Sequence, residues 1–180
     1  MKYCSKCGQQ VEIKVPAGDN RQRAVCPACA TVHYENPRMV LGCIPVWGDQ
    51  ILLCRRAIEP RHGFWTVPAG FMENDESLAQ AAARETWEEA LAEVEIGELH
   101  AVVDVVHARQ VHIFFRAQLR TKQFGAGDES LETKLFYEKD IPWQDIAFPS
   151  TTFALKTFLA DRANGNTQVH RIELTPTRLG

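Results

Sequence analysis

No stretch of the 180 residues approaches the run of about 20 apolar residues that spans a bilayer. The first eight residues hold two cysteines and two lysines and no apolar core, so they do not read as a secretory signal. Excess charge is lacking too. Twenty Lys and Arg face 23 Asp and Glu, a net charge of −3, which gives no general pull toward nucleic acid or anionic lipid. There is no low-complexity tract, and the sole repeat is a paired cysteine motif. With 45% apolar and 24% charged residues, the composition excludes disorder, collagen and coiled coil. The expectation is a cytoplasmic chain of one ordinary domain with a small appendage. In that reducing setting the cysteines are not a disulfide framework.

Four of the six cysteines form two C-x2-C knuckles, Cys4-Ser5-Lys6-Cys7 and Cys26-Pro27-Ala28-Cys29, with 18 residues between them. That spacing is the one used by four-cysteine zinc sites. Each knuckle presents two thiolates, and two knuckles close a tetrahedral shell with no position left for a reacting water. Disulfides and free buried thiols are the alternatives that spacing alone leaves open. The intervening stretch alternates apolar residues around Pro16-Ala17-Gly18-Asp19-Asn20, which predicts a β-hairpin and so a zinc ribbon over residues 1–35. The ribbon's five Lys and Arg against three Asp and Glu are too small an excess for a nucleic-acid surface.

A main domain is expected over residues 36–165 and a tail over 166–180. Met39–Trp47 and Gln50–Cys54, joined by Gly48-Asp49, read as a strand pair, and Phe64–Val67 as a short strand stopped by Pro68-Ala69-Gly70. Ser77 and Gln80 form a capping-box pattern, and Leu78–Ala90 contains neither Gly nor Pro, which predicts a helix. Further strands are expected at Glu93–Glu98, Ala101–Val106, Val111–Leu119 and Thr133–Tyr137. Phe124–Ser130 reads as a loop, and Ser150–Ala163 as a second helix capped by Ser150. The tail gives no clear signal. Cys43 and Cys54 fall in predicted strands and read as small buried apolar residues.

On the first helix Glu85, Glu88 and Glu89 stand at i, i+3 and i+4 and share one face. Like charges so placed destabilise an isolated helix by roughly 0.2–0.5 kcal/mol per pair. A glutamate-rich turn alone is commonly a solvated face. Here it follows a strand, a Pro-Ala-Gly turn and Glu76, which can bring the Gly70 carbonyl toward the carboxylates. An all-oxygen site of this kind suits Mg²⁺ or Mn²⁺ rather than zinc.

The stretch Gly70-x5-Glu76-x7-Arg84-Glu85-Thr86-x-Glu88-Glu89 resembles the Nudix box, G-x5-E-x7-R-E-U-x-E-E-x-G-U with U apolar. All charged positions are kept. Thr86 stands where an aliphatic residue is usual, and Leu91 where a second glycine ends the helix. The resemblance implies a Nudix α/β/α sandwich with a mixed sheet, behind a small zinc-ribbon β domain, and hydrolysis of a nucleoside diphosphate linked to another moiety. It further implies that Glu85, Glu88 and Glu89 are the metal-binding and catalytic carboxylates, joined by the Gly70 carbonyl. Glu76 and Arg84 would orient them. The water-activating base differs between members of the family, being a box glutamate or one on a later loop, and Glu129 and Glu132 are the later candidates. Members often pair as homodimers, an expectation by analogy alone.

The ribbon and Tyr34-Glu35-Asn36-Pro37 are similar to those of zinc-containing NADH pyrophosphatases. Those enzymes carry a motif of the sense S-Q-P-W-P-F-P-x-S after the box, and Leu99–Phe114 contains no proline. The closer likeness is to zinc-ribbon members acting on ADP-ribose and FAD, through residues 62–70, 84–90, 129–132 and 146–148. The expected activity is therefore metal-dependent cleavage of an ADP-linked small molecule to AMP and a phosphorylated product. NADH cleavage and a non-catalytic nucleotide-sensing module are the alternatives. Arg55 and Arg56, one of which must face away because strand side chains alternate, and Phe64 and Trp65 are the candidate substrate contacts. Phe64 and Trp65 flank the Pro68-Ala69-Gly70 turn, where aromatics are more often core than a stacking face.

Overall fold

The computed structural model describes residues 1–175 and divides the chain into two compact units, one of Met1–Pro37 and one beginning at Arg38. The first unit is a three-stranded antiparallel sheet of β1 (Glu12–Lys14), β2 (Arg23–Val25) and β3 (Val32–His33). The expected hairpin is β1–β2. Its turn is closed by the Asp19 amide donating to the Pro16 carbonyl at 3.1 Å, with Gly18 at φ 81°. The four knuckle cysteines meet beside this sheet, all as free thiols with ligand atoms within 4.8 Å of one another.

The second unit is built on one eight-stranded mixed sheet. Its elements are β4 (Arg38–Trp47), β5 (Gln50–Arg56), β6 (Trp65–Thr66), β7 (Ala69–Phe71), α1 (Leu78–Ala90), β8 (Val94–Val105), β9 (Gln110–Leu119), β10 (Ser130–Tyr137), α2 (Pro149–Asn164) and β11 (His170–Glu173). The strand order is β10-β5-β4-β9-β8-β11, with β6 paired to β5 and β7 to β4. The β4–β9 and β8–β11 pairs are parallel and the others antiparallel.

Strand side chains alternate between faces, and that alternation makes two cores. Leu41 and Cys43 of β4, Leu52 and Cys54 of β5, and Ile113, Ala117 and Leu119 of β9 pack with Ala81, Ala82 and Ala90 of α1. Ile44, Ile51, Leu53, Ala101, Val103 and Phe114 face the other way, against Ala154, Leu155, Phe158 and Leu159 of α2. The result is helix, sheet, helix, the architecture the resemblance implied. Gly42 allows the Pro-Ala-Gly turn to lie on β4, because a Cβ there would sit 2.5 Å from Ala69 Cβ and 2.6 Å from the Pro68 carbonyl.

Several elements differ from the sequence expectation. The two strands predicted on either side of residues 99–100 are one strand, β8, which absorbs register irregularities against β9 between Ile96 and Ala101. Strand β10 begins at Ser130, three residues before the expected Thr133, so Glu132 lies within it. Ser150 does not cap α2. Phe148 holds the cap position with Pro149 at the first helical position, and the Ser150 hydroxyl meets His112 Nδ1 at 3.0 Å instead. The segment expected to be a tail contributes β11 as the far edge of the sheet; residues 176–180 of that tail lie outside the described residues.

Candidate active site

The helix carrying the acidic residues is fixed at both ends. At its start the Ser77 hydroxyl accepts from the Gln80 amide at 3.3 Å and the Gln80 side chain accepts from the Ser77 amide at 2.8 Å, a complete capping box. At its end Leu91 takes the left-handed conformation, φ 46° and ψ 35°, with its amide donating to the Trp87 carbonyl at 2.8 Å. Leucine adopts the geometry expected of the missing glycine, at a cost of about 1–2 kcal/mol. The last carbonyls are met by the following loop. The Gly125 amide donates to Ala90 at 2.8 Å and the Gly127 amide to Glu89 at 3.1 Å. A Cβ on Gly127 would fall 1.7 Å from the Glu88 carbonyl, so the close approach requires glycine. This cap carries Glu129 to the same mouth as the helix glutamates.

Thr86 faces the sheet with no exposed surface. Its hydroxyl donates to the Ala82 carbonyl at 2.7 Å and receives the Cys43 thiol at 3.1 Å. Burial pushes the Cys43 thiol up to about 12, which keeps it protonated for that bond. A polar residue thus replaces an aliphatic one with no buried polar atom left unpaired.

Arg84 is the hub of the acidic cluster. It holds Glu76 through two bonds, Nε to Oε2 at 2.9 Å and Nη2 to Oε1 at 2.6 Å. It also donates to Glu85 at 2.8 Å, to Glu88 at 2.9 Å and to the Phe71 carbonyl at 3.0 Å. The Arg84 guanidinium lowers the Glu76 carboxyl below its ordinary range. Glu85 and Glu89 shift the other way, because burial disfavours their charged forms. Glu85 is raised despite Arg84. Glu89 is pushed up to about 8 despite accepting the Ala69 amide at 3.1 Å. Glu88 is exposed. Gly70 lies so close to Glu85 that a Cβ would stand 2.2 Å from Oε2.

These groups open onto one cavity of about 1400 Å³. Gly70, Arg84, Glu85, Glu88, Glu89 and Glu129 line it together. The donor set is wholly oxygen, and two of its carboxylates are buried without equivalent positive charge, which fits a hard divalent cation. In the ribbon the thiol set fits zinc. Sγ of Cys4 and Cys29 are 3.7 Å apart, those of Cys7 and Cys26 are 3.5 Å apart, and the Thr31 hydroxyl and amide lower the Cys29 thiol to about 6. Ligand thiols must lose their protons.

The remaining candidates divide. Arg56 lines the cavity, donating to the Pro60 carbonyl at 2.9 Å and lying 5.1 Å over the Phe148 ring. Arg55 is not on the cavity wall. It faces Gly63 and, at 3.9 Å, Glu132, which is also off the wall. Trp65 packs edge-on against Phe136 in the α2-side core, and Phe64 lies under Arg61. Neither aromatic lines the cavity. The wall instead includes Phe71, Phe114, Phe148, His112 and, from beyond β11, Leu174 and Thr175. These come from four separate stretches of chain, so no local spacing announces them. His112 is held neutral by burial, its pKa lowered to about 4, between Gln110 and Ser150.

Comparison with known proteins agrees with this geometry. A zinc-ribbon family model described as Nudix N-terminal matches residues 2–35, and the NUDIX domain model matches residues 36–154. The chain belongs to the Nudix family. A crystal structure of a NUDIX hydrolase from Nitrosomonas europaea superposes with a TM-score of 0.92 at 50% identity, covering 97% of this Nudix chain and all (100%) of that one. An ADP-ribose pyrophosphatase from Streptococcus suis shares the fold at a TM-score of 0.62 and 21% identity, covering 76% of this chain and 100% of its own. Among sequence relatives, the NAD-capped RNA hydrolase NudC of Vibrio vulnificus is 38% identical over 52% of this chain and 34% of its own length. NudC of Stutzerimonas stutzeri is 25% identical over 89% of this chain and 57% of its own length. The chain thus spans between a third and somewhat over half of these relatives. Nudix enzymes use Mg²⁺ or Mn²⁺, and the four-cysteine cluster is a structural zinc site.

Proposed function

We propose that the chain hydrolyses the diphosphate bond of an ADP-linked compound, with ADP-ribose and FAD leading, to give AMP and a phosphorylated partner. The observation that carries this reading is the set of Glu85, Glu88 and Glu89 on one face of α1, opening with Gly70 and Glu129 onto one large cavity. Glu85, Glu88, Glu89 and the Gly70 carbonyl hold the Mg²⁺ or Mn²⁺. The divalent ion supplies charge neutralisation at the phosphate oxygens and acidifies water. Arg84, braced by Glu76, fixes the direction of Glu85 and Glu88. Glu129 accepts the proton of the attacking water; Glu132, engaged toward Arg55, does not. Arg56 faces the diphosphate.

An NAD-linked substrate is the second reading, favoured by the names of the NudC relatives. Leu99–Phe114 contains no proline and so lacks the S-Q-P-W-P-F-P-x-S motif of NADH pyrophosphatases, which counts against NADH. We further place the protein in the cytoplasm as a homodimer. No helix among the described residues is long and apolar enough to cross a membrane, and light scattering tests the dimer. AMP release with Mg²⁺ from ADP-ribose, FAD, NADH and an NAD-capped RNA oligonucleotide tests the reaction. Highest kcat/KM on ADP-ribose or FAD is expected. Preference for NADH or the capped RNA overturns the substrate ranking. Nucleotide binding with no AMP from any of them overturns hydrolysis and leaves a sensing module.

A further inference from the structure

His100 of β8, Asp161 of α2 and His170 of β11 meet at the edge of the sheet, and none of the three lines the cavity. His100 has no exposed surface. Its Nε2 faces two acceptors, the Ala154 carbonyl at 3.0 Å and the Thr157 hydroxyl oxygen at 3.1 Å. The Thr157 proton is itself directed to backbone carbonyls, 2.9 Å from Phe153 and 3.1 Å from Ala154. Nε2 therefore carries the imidazole proton, and Nδ1 presents a bare lone pair. That lone pair is buried and has no hydrogen-bond partner among the described residues. His100 Nδ1 lies 4.0 Å from Oδ2 of the Asp161 carboxylate. His170 Nε2 lies 2.9 Å from the same oxygen.

A buried lone pair with no donor costs stability, and a cation between it and the carboxylate would satisfy it. We propose that His100, Asp161 and His170 form a second zinc site, distinct from the ribbon, which staples β11 to α2 and β8. Two imidazoles and one carboxylate make a borderline donor set that takes a first-row divalent ion and not magnesium. Zinc bonds to such ligands are about 2.0–2.2 Å long, which sets donors roughly 3.3 Å apart. The 2.9 and 4.0 Å separations bracket that value. The Nε2–H bond from His100 to a backbone carbonyl is the contact that fixes the tautomer of a metal-binding histidine. His170 is half-buried and leaves room for water as fourth ligand. On binding, the His170 proton moves from Nε2 to Nδ1. Arg116 donates to the same Oδ2 of Asp161 and opposes added positive charge, so zinc must share that oxygen or take Oδ1 and binds more weakly than at four thiolates. Leu174 and Thr175 directly follow β11, so the staple also fixes one wall of the cavity.

The test uses the full chain with its ribbon loaded, in a large excess of Mg²⁺ to occupy the glutamates of α1, titrated with Zn²⁺ and separately with Co²⁺. A second equivalent of metal is expected in the wild type, and its cobalt form should show d–d absorption without the thiolate charge-transfer band of the ribbon. His170→Ala should lose that equivalent, keep the ribbon zinc and remain folded by circular dichroism. His100→Gln, a buried change, should do the same if it folds. Only one equivalent in the wild type overturns the site. So does a second equivalent that survives His170→Ala, or one that Glu88→Gln abolishes, which would place it on α1.

Discussion

The two helices flank the same sheet and are held to it by different forces. Helix α2 buries Leu155, Phe158 and Leu159, and each such side chain contributes about 1.5–3 kcal/mol. Helix α1 buries Ala81, Ala82, Ala90 and Thr86, with Glu85 and Glu89 beside them. Alanine methyls provide little apolar area, and the two carboxylates oppose burial until a cation arrives. The capping box, the Arg84 hub and the glycine loop at its C-terminus position α1 instead. Hydrophobic burial thus secures α2, and directional polar contacts aim α1, the helix proposed to carry the catalytic carboxylates.

That contrast can be broken at several points, the first expected to have the largest effect. Glu89→Gln should lower kcat for the preferred substrate by orders of magnitude, because a metal ligand supplies several kcal/mol of transition-state stabilisation. The metal-free thermal melt should stay near wild type, since the amide matches the volume of a carboxyl that burial keeps protonated below about pH 8. Phe158→Ala or Leu155→Ala in α2 should show the reverse, a loss of about 2–5 kcal/mol in denaturant unfolding with kcat retained at low temperature. Gly127→Ala should cut kcat while leaving the ribbon zinc in place, because its Cβ cannot fit against the Glu88 carbonyl and the loop bearing Glu129 must move.

A smaller effect concerns pH. Burial raises Glu89 to about 8 in the folded chain, from 4.5 in the unfolded one. The folded state therefore holds its proton more tightly, and stability falls as pH rises through that interval. His100 and His112, lowered to about 4 by burial, lose stability only below their ordinary 6.5. Between pH 6.5 and 8 the Glu89 effect stands clear of them. Metal-free protein with a loaded ribbon should lose on the order of 2 kcal/mol across that range, and added Mg²⁺ should restore it. The least effect is Leu91→Gly, which relieves the left-handed backbone and should stabilise by at most about 1 kcal/mol, read as a small rise in Tm.

What the sequence made legible follows the same division. The bounds of α1 and its capping box rest on contacts between near neighbours in the chain, and the cysteine knuckles repeat one motif at a metal-site spacing, so all were readable. So was the departure at Leu91, although the loop that compensates for it was not. Arg55 and Arg56 could be given opposite faces by strand alternation, but only the fold decides that Arg56 looks inward. Strand β11 was missed because four residues with a half-buried, half-exposed pattern pair only through tertiary contact. Ser150 was misassigned as a cap because its partner, His112, is 38 residues away. The cavity wall and the His100–Asp161–His170 cluster join distant segments, which no local spacing can announce.

The proposed chemistry of α1 depends most directly on whether its carboxylates hold the divalent ion. Calorimetric titration of Mn²⁺ into the wild type and into Glu85→Gln, Glu88→Gln and Glu89→Gln, each with its ribbon zinc in place, tests this without reference to any substrate. The wild type should bind Mn²⁺, and each variant should bind it at least tenfold more weakly while melting at or above the wild-type temperature. Unchanged Mn²⁺ affinity in Glu88→Gln and Glu89→Gln would contradict the account.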